Sequence, residues 1–247
     1  MALYRSDAFV LRTYKLGESD QIVVMFTKDY GKVRAVVRRS RSVRRQTASY
    51  YQPLMLLHAI LFGRPAQSLH RINSVDIVRS FRTLREDFEA MRCGLYMTEL
   101  IEVTTREREP VPDLFALLYL GLEQLTQSPH PHMLLRLFEL RLLGVLGYTP
   151  QLFMCARCAC DVSSAATTFS AVLGGLLCPS CAVQVQQTLT VHPETLAYLR
   201  LALTGDADTS LPLPGDAVVH QELEQVLHAH LIACLGRELK SYAFLHL

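Results

Sequence analysis

Of the 247 residues, 50% are hydrophobic and 19% charged, which excludes a disordered tail and allows one or two domains with a sizeable core. The net charge of +2 hides an asymmetry. Residues 1–80 hold 14 Lys/Arg against 5 Asp/Glu, a balance of +9, and the remainder holds 11 against 18, a balance of −7. A basic module joined to a mildly acidic body suits a polyanion partner. Arg5 and Asp7 interrupt the amino terminus, and no apolar secretory core follows them. No window reaches the roughly 18 uninterrupted apolar residues of a membrane span. Seven cysteines, an odd number, argue against a secreted disulfide framework. The expected setting is a reducing cytoplasm, with no membrane.

Residues 8–80 read as β-structure. Phe9–Leu11, Ile22–Phe26 and Val33–Val37 are β-branched or aromatic runs, separated by turn-forming Gly17-Glu18-Ser19-Asp20 and Lys28-Asp29-Tyr30-Gly31. Leu54–Phe62 and Ile72–Val78 complete five candidate strands. Short strands joined by tight turns predict a small barrel, either an OB-fold or an SH3-like one by pattern alone.

The third strand leads into the chain's most basic stretch. Lys32, Arg34, Arg38, Arg39, Arg41, Arg44 and Arg45 fall within fourteen residues, and no Asp or Glu occurs between Asp29 and Asp76. Six of the seven are Arg, whose planar fork suits phosphate oxygens and stacks on bases. These seven are the candidate nucleic-acid contacts; the bland alternative is a solvated loop. Tyr14, Tyr30, Tyr50 and Tyr51 are equally suited to base stacking and to barrel packing.

After Ser80 the period changes to that of helices. One is predicted over 81–106 from Phe81, Leu84, Phe88, Met91, Leu95 and Leu100, and a second opens at Asp113 after Pro110 and Pro112. Glu99, Glu102, Glu107 and Glu109 read as the solvated side of the first helix and its end. A third helix, 132–146, is apolar almost all round and belongs at a bundle centre; its few charges, including Arg136 and Arg141, are candidates for a partner surface. Two further helices begin at Pro193 and about Asp216. His230, on the apolar stripe of the last, reads as a core histidine.

Between them, Cys155-x2-Cys158 and Cys178-x2-Cys181 are separated by 19 residues. Two knuckles at this spacing complete a tetrahedron of thiolates, which predicts one structural Zn2+ on Cys155, Cys158, Cys178 and Cys181 with no open position for catalysis. Gly174-Gly175 supplies tight backbone before the second knuckle. Cys160 could replace Cys158 but breaks the standard spacing, and is read as a bystander. The chain lacks a Gly-x4-Gly-Lys-Ser/Thr phosphate loop, a His-Glu-x2-His helix and a Gly-x-Ser-x-Gly elbow, so neither a nucleotide cofactor nor an enzyme is expected.

Gly17-Glu18-Ser19-Asp20, Phe26-Thr27-x3-Gly31, the Arg-rich strand, Phe169, Gly174-Gly175, both knuckles, and Lys240-Ser241 with Phe244-Leu245 together resemble the RecO family of bacterial recombination mediators. The resemblance spans nearly the whole chain. Two places depart from it: Arg38-Arg39 and Ala159 stand where the family often has Gly. The resemblance implies an α+β multidomain protein: an OB-fold at 1–80, a helical domain from 81–150 and 190–247, and a zinc lobe inserted at 151–189. It also implies binding to single- and double-stranded DNA, strand annealing, and work with RecR and single-strand binding protein in loading RecA, in the cytoplasm at the nucleoid. Two other functions compete with it. One is a zinc-ribbon and OB RNA binder; the other is a metal-dependent nuclease, which lacks a visible carboxylate or histidine cluster.

Overall fold

The computed structural model describes residues 2–17, 20–38, 48–63, 67–162, 168–205 and 217–246. The chain forms two compact units, residues 1–131 with 239–247, and residues 132–238. The first boundary falls well beyond residue 80, because the helices after the barrel cluster with it.

In the first unit, β1 (Ala2–Leu16), β2 (Asp20–Thr27), β3 (Gly31–Val37), β4 (Leu56–Gly63) and β5 (His70–Arg79) close a barrel in the order β1-β2-β3-β5-β4. All pairings are antiparallel except the short parallel closure Ala35↔His70 and Val36↔Arg71. This is an OB-fold. Alternation decides the core: Val10, Val23, Met25, Val33, Ala35, Leu57, Ala59 and Leu61 point inward. The β2–β3 turn requires glycine. Gly31 has φ +67, and a Cβ there would lie 2.3 Å from the Glu109 carbonyl oxygen.

The next helices cover one outer wall. α1 (Phe88–Thr104) starts later than periodicity suggests: Asp87 caps it, accepting hydrogen bonds from the Glu89 and Ala90 amides at 2.9 and 3.1 Å. Phe81 sits in the left-handed region, and Arg82–Arg85 form only a 3-10 turn. α2 (Pro112–Leu125) brings Phe115 to 5.0 Å from Phe9 and 5.9 Å from Phe26, so these outward-facing barrel aromatics are buried. The carboxyl-terminal turn Lys240–His246 returns to α1, where the Glu99 carboxylate accepts from the amides of Lys240 and Ser241 at 3.0 and 2.7 Å. Glu99 is therefore a cap and not part of a solvated face.

The second unit contains α3 (Pro131–Val145), β6 (Thr168–Ser170), β7 (Gly175–Leu177), α4 (Pro179–Ala182), β8 (Leu189–Thr190), α5 (Pro193–Thr204) and α6 (Ala217–Leu235). α3 is buried on most sides, as its composition predicts, and includes a fully buried ion pair, Arg136–Glu139 at 3.2 Å. Arg136 is thus inside the helical core, which removes it as a surface contact. The three-stranded sheet β7-β6-β8 has strands of only two or three residues. Such a sheet is not stable alone. Arg200 of α5 donates from Nε and Nη2 to the Leu152 carbonyl at 2.9 and 2.8 Å. On α6, His230 is buried, with Nε2 2.8 Å from the Tyr148 carbonyl and Nδ1 3.3 Å from that of Ala171, a structural role. Among the described residues no helix is long and apolar enough to cross a membrane.

Candidate nucleic-acid interface and metal centre

The barrel cations separate into two groups. Lys32 faces the helices: its ammonium donates to the carbonyls of Glu102 and Thr105, both at 2.6 Å. These belong to the last turn of α1 and the residue after it, where carbonyls lack helical partners. Burial lowers the Lys32 pKa, opposed by the nearby carboxylates Glu102 and Glu107. Arg34 pairs with Glu107 at 2.7 Å, and Arg12 with Glu102 at 2.8 Å. The chain after α1 runs beside β3 through a parallel bridge, Lys32↔Glu107, so carboxylates absent from the local sequence arrive from elsewhere. Lys32 and Arg34, expected to hold phosphate, both bond this segment, and Arg34 stays exposed. Lys32→Ala is expected to destabilise the first unit by about 1–3 kcal/mol, the scale of hydrogen bonds from a charged donor. The same change should leave the salt dependence of DNA binding unaltered. Denaturant melts and titrations at several salt concentrations check both.

Arg38 belongs to the second group. It is exposed at the end of β3 and lines a groove of about 300 Å³ with Leu16, Val36, Phe62, Leu69 and Arg71. Asp20, Gln67 and His70 complete its lining. The ladder explains the juxtaposition: Val36 lies opposite Arg71, Arg71 opposite Phe62, and Phe62 opposite Leu3, a continuous row across four strands on the open wall. Leu3 and Phe62 are 59% and 37% exposed. Among the described residues neither Arg38 nor Arg71 makes an ion pair. An apolar floor with two guanidinium groups at its rim can stack bases and neutralise phosphates. Arg39, Arg41, Arg44 and Arg45 lie outside the described residues.

Of the tyrosines, Tyr51 is buried in the barrel core and Tyr50 packs against it. Tyr14 is exposed, with the Arg12 guanidinium 5.8 Å from its ring centroid. Tyr30 lines a second cavity, about 290 Å³, with Tyr4, Asp29, His70 and Arg108. There the Tyr4 hydroxyl and His70 Nδ1 share a 2.8 Å hydrogen bond. Burial, then the charge of Tyr30, pushes Tyr4 up to about 12, whereas burial and Arg108 lower His70. Both groups are neutral near pH 7. Phe62 and Arg71 escaped the sequence reading because nothing local marks an outward strand position as part of a groove.

In the second unit the thiols of Cys155, Cys158, Cys160 and Cys178 lie within 4.8 Å of one another. Cys181, expected as the fourth ligand, stands outside this group, with its amide donating to the Cys178 carbonyl at 3.0 Å. The Cys158–Cys178 sulfur distance is 3.7 Å. A tetrahedron with Zn–S of about 2.3 Å has sulfur–sulfur edges of about 3.8 Å, so the donors fit. The Cys178 amide also donates to Cys155 Sγ at 3.4 Å. Despite burial, amide donors from Cys178, Cys158 and Arg157 bring Cys155 down to about 6. Hydrogen bonding with Cys158, burial and neighbouring thiolate charge push Cys160 up to about 12. So many thiols cannot ionise together without a cation between them. The cluster can hold a metal ion.

Backbone geometry builds the cluster. The Gln151 amide donates to the Gly174 carbonyl at 2.8 Å and the Leu176 amide to the Gln151 carbonyl at 2.9 Å. A Cβ on Gly175 would meet the Gln151 carbonyl oxygen at 2.6 Å, which is why the second glycine is needed. In the first knuckle Ala159 has φ +58, and its turn lets the Cys155 amide reach the Cys160 carbonyl at 2.8 Å. An L-residue in this region costs roughly 1–2 kcal/mol. Ala159→Gly is expected to stabilise the metal-loaded protein by about 0.5–1 kcal/mol after the greater unfolded-state freedom of Gly is counted. A rise in melting temperature checks this, and no rise contradicts it.

Comparison with known proteins covers both units. Residues 1–81 match the family model "Recombination protein O N terminal", and residues 85–243 match "Recombination protein O C terminal". A DNA repair protein RecO from Symbiobacterium thermophilum is 35% identical over 250 residues, covering 99% of this chain and 97% of its own. One from Anaeromyxobacter sp. strain K is 36% identical over 236 residues, covering 96% and 93%. One from a Nocardioides species is 34% identical over 246 residues, covering 98% of both.

Proposed function

The chain belongs to the RecO family of DNA repair proteins, and from that premise we propose that it is a recombination mediator that acts by binding and not by bond chemistry. It binds single- and double-stranded DNA on the open wall of the barrel and anneals complementary strands. With RecR it helps load RecA on strands coated by single-strand binding protein, in the cytoplasm at the nucleoid. The observation that carries this reading is the groove between Arg38, Arg71 and Phe62, on the wall that the helices leave open. Arg39, Arg41, Arg44 and Arg45 follow Arg38 in sequence and extend the cationic supply.

Annealing follows from charge. Two strands held on one cationic surface repel each other less, and contacts to phosphates and base faces leave hydrogen-bonding edges free to pair. In the second unit, one structural zinc on Cys155, Cys158, Cys178 and Cys181 stabilises the small sheet. The test is annealing of complementary oligonucleotides pre-coated with single-strand binding protein. The protein is expected to accelerate duplex formation. Intact DNA binding without acceleration would remove the mediator reading and leave a DNA binder.

A further inference from the structure

The cavity of about 290 Å³ adjoins the groove, and His70 lines both. It exists because β3 and β5 pair at only two positions, Ala35↔His70 and Val36↔Arg71. Further back on β3 the chain after α1 takes over, and the Arg108 amide donates to the Lys32 carbonyl at 3.0 Å. Tyr4, Tyr30 and His70 supply aromatic lining: the tyrosine rings meet edge to face at 4.6 Å, and Tyr4 meets His70 likewise at 5.5 Å. The bond between the Tyr4 hydroxyl and His70 Nδ1 occupies these polar tips with each other. A Cβ on Gly63 would lie 2.6 Å from His70 Nδ1, so glycine there makes room for the ring. Asp29 brings the one carboxylate among the described lining residues. Its Oδ2 accepts from the Ser6 hydroxyl at 2.7 Å and its amide donates to Ser6 Oγ at 3.2 Å, so the side chain is held in place. Among the described residues neither Asp29 nor Arg108 makes an ion pair.

We propose that this cavity holds one unpaired base of the bound strand, guanine by preference. The inference rests on the groove reading, since the strand enters from the groove past His70. A pocket at the small end of ligand cavities takes a single ring system. The carboxylate keeps phosphate outside, where Arg108 is exposed. A base is the part of a strand that fits: uncharged, flat, and able to stack on Tyr30, which is 38% exposed. Asp29 then selects among bases, because a carboxylate only accepts hydrogen bonds and two oxygens have room for several. Guanine presents two adjacent donors, N1–H and the 2-amino group, spaced for both oxygens. Thymine offers one N–H flanked by carbonyl oxygens; adenine and cytosine offer one amino group beside a ring-nitrogen acceptor. The edge held is the one that pairs with cytosine, so the base leaves when the complementary strand arrives. The cavity favours unpaired strands and gives way to annealing.

The experiment titrates the full chain into a labelled oligothymidylate, the same strand with one central guanine, and the same strand with inosine there. Inosine keeps N1–H and lacks the 2-amino group. The guanine strand is expected to bind at least about 5-fold more tightly than oligothymidylate, the lower end of what a bidentate base contact discriminates. Inosine should lose most of this gain. Asp29→Asn keeps an acceptor for the Ser6 hydroxyl and should remove the gain, with oligothymidylate binding unchanged. Phe62→Ala should weaken all three strands alike and keep the gain. Free deoxyguanosine monophosphate should displace the guanine strand only at far higher concentration, because it lacks the strand's other contacts. Failure to bind any strand overturns the groove reading and the cavity with it. Equal binding of all three overturns the cavity inference alone. So does a gain that persists in Asp29→Asn, or displacement by the mononucleotide at the strand's own concentration. The guanine–inosine comparison in wild type decides the matter even if Asp29→Asn does not fold.

Discussion

Removal of metal by a strong chelator is expected to unfold the segment from Gln151 to Val191. Its strands are two or three residues long, and the apolar residues it buries, such as Leu152, Val162, Phe169 and Leu176, are too few to hold them. Structural zinc contributes apparent free energies of about 10–16 kcal/mol in isolated zinc-finger peptides. Here α5 and α6 also brace the lobe, through Arg200 to the Leu152 carbonyl and through the edge-to-face contact of Phe169 with His230 at 5.9 Å. The loss should therefore be several kcal/mol and confined to the lobe. Amide hydrogen exchange reads it directly: amides such as those of Leu176 and Ala156 should lose protection, while those of β1–β5 keep theirs. Cys155→Ser should reproduce the effect, since it removes both a buried donor and the acceptor of the Cys178 amide. Unchanged protection after verified metal removal would contradict the structural role.

The second large effect concerns the open wall of the barrel. Phe62→Ala is expected to weaken single-strand binding by about 1–3 kcal/mol, the value of one stacked base, or on the order of 5- to 150-fold. Arg38→Ala with Arg71→Ala should lower the slope of log affinity against log salt by about 1.4, at about 0.7 per lost phosphate contact. Both side chains are exposed and neither is in an ion pair among the described residues, so stability should change by no more than about 0.5 kcal/mol. Lys32→Ala should give the reverse pattern, a stability loss with an unchanged slope. Titrations of a labelled oligonucleotide at several salt concentrations, with melts of the same samples, separate these outcomes.

The barrel was legible because its strands carry β-branched runs, and the turns between them carry Gly, Asp and Ser. The cysteine lobe was legible because two knuckles at metal spacing are a local signal. Function within the basic run was less so. The absence of carboxylates from 30 to 75 suggests free cations, yet the Glu102 carbonyl and the Glu107 carboxylate reach Lys32 and Arg34 across some seventy residues of chain. No local pattern carries that information. Periodicity starts α1 too early because Phe81, Leu84 and Phe88 keep helical spacing across a 3-10 turn; Asp87, a capping residue type, marks the true start. Cys160 was set aside by the spacing rule, which does not count a left-handed Ala159 that folds the next residue back onto the knuckle. Arg136 reads from sequence as a cation on an apolar helix, but it is buried with Glu139, one turn away. Local patterns located the elements; which side chains remain available depends on what the helices cover.

Photo-crosslinking tests the central claim most directly. A single strand carrying iododeoxyuridine, bound at low salt and irradiated, transfers its label to an aromatic ring stacked on the base. The account predicts adducts on the peptide containing Phe62, lost in Phe62→Ala and reduced in the Arg38→Ala, Arg71→Ala protein. Adducts confined to residues 132–238, with the Phe62 peptide unlabelled at saturating DNA, would contradict it.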